Sequence, residues 1–130
     1  MEEKRGYQRY LISGSVNLKF EGNDLSILKA ELVDIGFIGF SIYSRDEVEL
    51  GQIVQFEIIP ELMDNSLIGK GKIKDIAQVP QNDVLVYRVG IEFIDVEKNN
   101  ILKLININQA KIIAETEKSH RQKPSDFGPY

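Results

Sequence analysis

Six runs of this chain alternate apolar and polar residues, and this pattern restricts the fold more than any other feature. Successive side chains of a strand point to opposite faces, so each run predicts a strand with one face in a core. The runs are residues 16–20, 28–32, 38–42, 54–58, 67–79 and 85–93. Turn residues separate them without an intervening helical pattern, which favours antiparallel pairing. Because an open sheet leaves exposed edges, the pattern predicts a mainly β fold: a six-stranded antiparallel, split-barrel-like β-barrel.

The period of the apolar pattern changes after Asp95, where it becomes helical. Residues 97–118 predict a C-terminal α-helix with Asp95 as its N-cap. Asn108 and Gln109 interrupt the apolar stripe, so the second half of this helix is expected to contact something other than the barrel. The resulting organisation is a flexible N-terminal segment over residues 1–14, a barrel with its helix over 14–118, and a disordered tail over 119–130.

Length, charge and composition exclude several classes of protein. The chain has 130 residues, which fits one domain, and a formal net charge of −4, which disfavours binding along a DNA or RNA polymer. No apolar run approaches the ~20 residues of a membrane span, and the N-terminus lacks the apolar core of a signal peptide. The expectation is a cytoplasmic protein without membrane insertion.

Candidate catalytic groups are scarce in this sequence. The chain has no cysteine and a single histidine, His120, in the polar tail. No Ser/His/Asp or Cys/His arrangement can be assembled, so we expect no enzyme activity and no catalytic residues. No metal-ligand spacing is present either, so we expect no metal site and no cofactor. Lys70, Lys72 and Lys74 share one face of a predicted strand. They are interpreted as a solvated face that discourages edge pairing, and an anion-binding stripe is the alternative.

Two arginines, Arg5 and Arg9, lie four residues apart just before the first predicted strand. Residues at this spacing share one face of a strand or helix. In extended chain their Cα atoms lie ~13 Å apart, so the two long side chains can converge on one small ligand. Each guanidinium can bind a phosphate or a guanine edge through two parallel hydrogen bonds. The pair therefore indicates a site for a small anionic ligand.

A second motif, Asp34-Ile-Gly-Phe-Ile-Gly39, lies between the second and third predicted strands. A turn is needed there, and Gly36 and Gly39 permit positive φ and close approach of the backbone. A hairpin connection without further function is the alternative interpretation.

The order of these features resembles the PilZ domain family of bacterial receptors for cyclic di-GMP. An RxxxR pair precedes the first strand, a D/NxSxxG-like turn follows the second, and a helix follows a six-stranded barrel. The sequence VGIEFID at residues 89–95 is similar to the last strand of that family, and the resemblance covers residues 5–113.

The resemblance implies a set of ligand-binding residues. Arg5 and Arg9 would clamp phosphates and guanine bases, and Asp34 would accept hydrogen bonds from a guanine edge. Gly39 matches the motif glycine, where a side chain would crowd the base. Gly36 departs from the family, because it stands where the family usually has serine, so the serine hydroxyl is missing. Losing one neutral hydrogen bond costs ~1 kcal/mol, which weakens binding without abolishing it.

The resemblance therefore implies a non-catalytic receptor that binds cyclic di-GMP and passes the signal to an unidentified protein partner with a motility, biofilm or secretion output. Its N-terminal segment would fold over the ligand against the Asp34 turn. The alternative is a protein-interaction adaptor that binds no nucleotide and uses the late helix around Ile112 and Ile113. A small enzyme would need a catalytic cluster, which this sequence lacks. An RNA-binding barrel would need a basic, aromatic face, which it also lacks.

Overall fold

The computed structural model describes residues 8–126, apart from the side chains of residues 23–25 and 117–126. This part of the chain forms six strands and one helix. The elements are β1 (Tyr10–Phe20), β2 (Asn23–Ile35), β3 (Gly39–Ser44), β4 (Ile53–Pro60), β5 (Leu67–Gln81), β6 (Val84–Val96) and α1 (Lys98–Asp126). Strand β1 begins at Tyr10, within the segment 1–14 for which the sequence predicts no regular structure.

The six strands close into a barrel in the order β1-β2-β3-β6-β5-β4, and every neighbouring pair is antiparallel. Pairing of β1 with β4 closes the sheet, so neither strand presents the long open edge of a flat sheet. The mainly β fold predicted from the alternating runs, with one C-terminal helix, is confirmed.

The barrel interior is filled by the inward-facing residues of the alternating runs. Val16, Leu18 and Ile58 are fully buried. Phe40 and Phe56 meet edge to face with ring centroids 4.9 Å apart, and Phe93 packs against both rings.

The β5–β6 hairpin extends beyond its neighbouring strands. Its turn residues Asn82 and Asp83 have φ values of 52° and 67°, as required of a two-residue hairpin turn that matches the strand twist. Leu85, the first apolar residue of the sixth run, is 61% exposed because β3 does not pair with this end of β6.

Helix α1 begins at Lys98, so Asp95 is a residue of β6 and its prediction as N-cap is wrong. The carbonyl of Glu97 instead accepts the amides of Asn100 and Ile101 at the helix start. The helix continues to Asp126, past the predicted end at residue 118.

The first half of α1 packs into the barrel core through Ile101, Leu104 and Ile105, which are all buried. Asn108, which interrupts the apolar stripe, is also buried and donates from Nδ2 to the Leu11 carbonyl at 3.3 Å. Ile112 and Ile113 are exposed. Within residues 8–126, no helix is apolar enough over sufficient length to cross a membrane.

Candidate functional site

The carboxylate of Asp34, near the end of β2, is held by two arginines. Arg9 Nη1 donates to Oδ1 and Arg88 Nη2 donates to Oδ2, each at 2.8 Å. The Asp34 side chain is only 7% exposed, whereas those of Arg9 and Arg88 are 27% and 44% exposed. A buried carboxylate requires such partners, because desolvating an unpaired charge is costly. Both oxygens of Asp34 are thus occupied by guanidinium groups.

The barrel topology brings these three side chains together from distant parts of the sequence. Arg9 directly precedes Tyr10, which pairs with Ile35 next to Asp34. Arg9 Nη1 also donates to the Ser41 hydroxyl at 3.0 Å, and Ser41 is the partner of Asp34 across the β2–β3 ladder. That ladder carries a register shift between Leu32 and Asp34. Such bulges re-aim side chains, which explains a carboxylate at this position of a buried strand.

Beside this ion-pair cluster lies a cavity of about 440 Å³ on the outer surface of β3, β5 and β6. Its volume falls within the roughly 300–1,000 Å³ of typical small-molecule sites. The cavity is lined by Arg9, Ile38, Gly39, Ser41, Lys74, Asp75, Arg88, Gly90, Ile91 and Glu92. Across the β3–β6 ladder, Ser41 pairs with Gly90, and Gly39 pairs with Glu92. Small residues therefore expose the backbone of the sheet, flanked by three cationic and two anionic side chains.

Strand packing by itself requires a glycine at position 39. A Cβ at this position would lie 2.1 Å from the Ile91 carbonyl oxygen and 3.1 Å from the Glu92 Cα. The Gly39 carbonyl also accepts the Gly36 amide at 2.8 Å, which closes the β2–β3 turn. Position 39 therefore needs a glycine for structural reasons, whether or not a ligand is bound.

Gly36 leaves room for the chain that precedes β1. A Cβ there would lie 2.7 Å from the Gln8 carbonyl oxygen and 3.4 Å from Arg9 Cδ. Gly36 does not have a positive φ angle, which among the described glycines occurs at Gly22 and Gly51. A serine at position 36 would therefore displace the backbone next to Arg9, in addition to supplying a hydroxyl.

We expect Gly36→Ala to lower the free energy of unfolding by about 1–3 kcal/mol, because the new methyl group overpacks against backbone. Chemical denaturation of the purified variant measures this loss. Gly90→Ala is the matched control, since its nearest neighbour would be the Asp75 Cβ at 3.3 Å and that side chain is exposed. Equal stability of the two variants would contradict the close approach at Gly36.

Four of the five residues predicted to bind ligand converge at this site: Arg9, Asp34, Gly36 and Gly39 lie at or beside the cavity. The fifth, Arg5, lies outside the described residues. Ligand binding by all five stays a prediction.

Sequence reasoning missed Arg88, Ser41, Asp75 and Glu92, which line the same cavity, and it included Lys74 only in the alternative of an anion-binding stripe. Arg88 and Glu92 occupy polar positions of the sixth alternating run, but no spacing rule connects them to Asp34 in the chain. Among the three lysines of β5, Lys74 lies at the cavity, 3.7 Å from Glu92, whereas Lys70 lies 3.6 Å from Glu21. These exposed pairs contribute little to stability.

Comparison with solved structures shows the same fold in three structures, of two proteins, at low sequence identity. The PilZ domain with c-di-GMP of YcgR from Escherichia coli has a TM-score of 0.72 and 16% identity, covering 89% of this chain and 99% of that one. The Bacillus subtilis inhibitor of motility (MotI/DgrA) has a TM-score of 0.67 and 12% identity, covering 85% of this chain and 52% of that one.

YcgR from Escherichia coli in complex with c-di-GMP has a TM-score of 0.60 and 19% identity, covering 95% of this chain. This chain spans about half the length of that structure and of the Bacillus protein, 50% and 52% respectively. No curated protein matches it. The family model for the PilZ domain matches residues 3–109, which include the barrel, the arginine pair, the Asp34 turn and the first half of α1. With most of its length matched and the barrel in place, the chain belongs to the PilZ domain family.

Proposed function

We propose that this protein is a non-catalytic receptor for cyclic di-GMP that passes the level of this messenger to a protein partner. The observation that carries the proposal is the convergence of Arg9, Asp34 and Arg88 at the edge of the 440 Å³ cavity. Guanidinium groups bind phosphate through parallel, charge-assisted hydrogen bonds, and a cyclic dinucleotide offers two phosphates. Two solved structures of the same fold, both of YcgR from Escherichia coli, are complexes with c-di-GMP.

In the proposed complex, Arg5, Arg9 and Arg88 contact phosphates or bases, and Gly36 and Gly39 keep the β2–β3 turn open to the ligand. The segment carrying Arg5 and Arg9 closes over the nucleotide. Arg9 starts from a defined position, because Asp34 and Ser41 already hold its guanidinium beside the cavity. Such preorganisation reduces the entropy that binding must overcome. The surface around the cavity then changes, and a motility, biofilm or secretion component reads that change.

We expect Arg9→Ala to weaken binding of cyclic di-GMP by more than ~1.5 kcal/mol, since a charge-assisted contact is lost. Isothermal titration calorimetry with the parent and the variant measures the difference. Arg45→Ala is the matched control, because Arg45 is exposed and does not line this cavity. Failure of the parent to bind would exclude the receptor function, and equal affinity of parent and Arg9→Ala would place the ligand elsewhere.

The second candidate function is an adaptor that binds partner protein without nucleotide. It is favoured by Ile112 and Ile113, which are 49% and 58% exposed on the part of α1 that follows the family match at residue 109. The carboxylate of Asp34 is already paired with Arg9 and Arg88, which also fits a β2–β3 turn that binds no ligand. The same titration separates the two functions, because the adaptor requires a folded parent that does not bind cyclic di-GMP.

A further inference from the structure

We infer that Asp75, which lies outside both sequence motifs, is the residue that selects guanine in this cavity. The inference rests on the proposed function, since it names how the same site recognises the base of its ligand. A carboxylate can accept the N1–H and N2–H₂ donors of guanine together, and this pair of donors distinguishes guanine from other purines.

Asp34, the acidic residue of the turn motif, is poorly placed for this role. Both of its oxygens accept from arginines at 2.8 Å, and its side chain is 7% exposed. Each oxygen keeps a further acceptor site, but the burial of the side chain leaves a guanine edge little access to it unless Arg9 or Arg88 moves aside. Moving a guanidinium away from this buried carboxylate carries a desolvation cost that an exposed carboxylate does not incur.

Two other carboxylates line the cavity, those of Asp75 and Glu92. Glu92 has Lys74 within 3.7 Å, so part of its charge is already compensated. Asp75 is exposed and, within residues 8–126, has no cationic side chain within ion-pair distance. Asp75 is therefore the cavity carboxylate that has no cationic partner among the described residues.

The surface next to Asp75 suits a flat ring. Asp75 pairs with Gly90 across the β5–β6 ladder, and Gly90 pairs with Ser41 across the β3–β6 ladder. A Cβ at Gly90 would lie 3.3 Å from the Asp75 Cβ, so the glycine leaves bare backbone directly beside the carboxylate. A purine can lie against this backbone with its donor edge toward Asp75, while Arg9 and Arg88 supply positive charge for the phosphates from the same cavity.

The test compares two ligands, cyclic di-GMP and cyclic di-IMP, which differ only in the N2 amine of the base. We expect the parent to bind cyclic di-GMP about tenfold more tightly than cyclic di-IMP, because the N2 amine donates one additional hydrogen bond to a charged acceptor. In Asp75→Asn this preference falls to about twofold or less, because the amide of asparagine cannot accept both donors. Titration calorimetry of the full chain gives both affinities.

Three further variants complete the experiment. Glu92→Gln is the matched control and keeps the tenfold preference. Arg9→Ala weakens both ligands by the same factor, since its guanidinium does not contact the N2 amine in which the two ligands differ. In Asp34→Asn the preference also persists although both affinities fall. Loss of the preference in Asp34→Asn with its retention in Asp75→Asn would overturn the inference and leave the receptor function intact. A folded parent that binds neither ligand would overturn both the inference about Asp75 and the receptor function.

Discussion

Replacing Asp34 by asparagine is expected to weaken cyclic di-GMP binding by roughly 10- to 150-fold, the equivalent of about 1.5–3 kcal/mol. The carboxylate holds Arg9 and Arg88 at 2.8 Å with one oxygen each, so its loss releases two cationic groups of the proposed site. An asparagine offers one acceptor oxygen and turns its amide donors toward the other guanidinium. Titration calorimetry measures the affinity.

Asp46→Asn is the control for that variant, because Asp46 is an exposed aspartate in the connection after β3. We also expect Asp34→Asn to lose stability by only about 1–2 kcal/mol, since both arginines reach solvent and regain hydration. Chemical denaturation separates this loss from the loss of affinity. Unchanged affinity in a folded Asp34→Asn would show that the arginines act without the carboxylate, which contradicts the proposed site.

Ile58→Ala is expected to lower the free energy of unfolding by about 2–5 kcal/mol, through lost burial and the cavity left behind. Ile58 is 0% exposed on the inner face of β4. Domains of this kind are stabilised by about 5–15 kcal/mol, so the variant loses a large share of its stability. Urea denaturation monitored by far-UV circular dichroism measures the change.

Ile68→Ala is the matched control, because Ile68 lies on the neighbouring strand β5 and is 70% exposed. The same deletion of methyl groups should cost less than about 0.5 kcal/mol at such a surface position. Similar losses at the two positions would contradict the assignment of inner and outer faces that underlies the barrel.

The sequence by itself determined the barrel and its helix, because both depend on local periodicity. Alternation at Val16 and Leu18 specifies a strand with one buried face, and closing six such strands into a barrel brings these faces into one core. The sequence specified the residues at which strands and helices begin and end less well than the elements themselves. Asp95 has the chemistry of an N-cap, yet pairing with Lys70 keeps it in β6, since ladder hydrogen bonds from a neighbouring strand override a local capping preference.

The sequence also determined that Arg9, Asp34, Gly36 and Gly39 belong together, because motif order on a known scaffold carries that information. Only the tertiary structure decided that Arg88 completes the cluster, 54 residues from Asp34 along the chain. Strand order places β6 beside β3, and no local pattern encodes which outward-facing side chains meet across such a ladder. For the same reason the pairing of Asp75 with Gly90, and the cavity beside it, follow from register rather than from any spacing in the sequence.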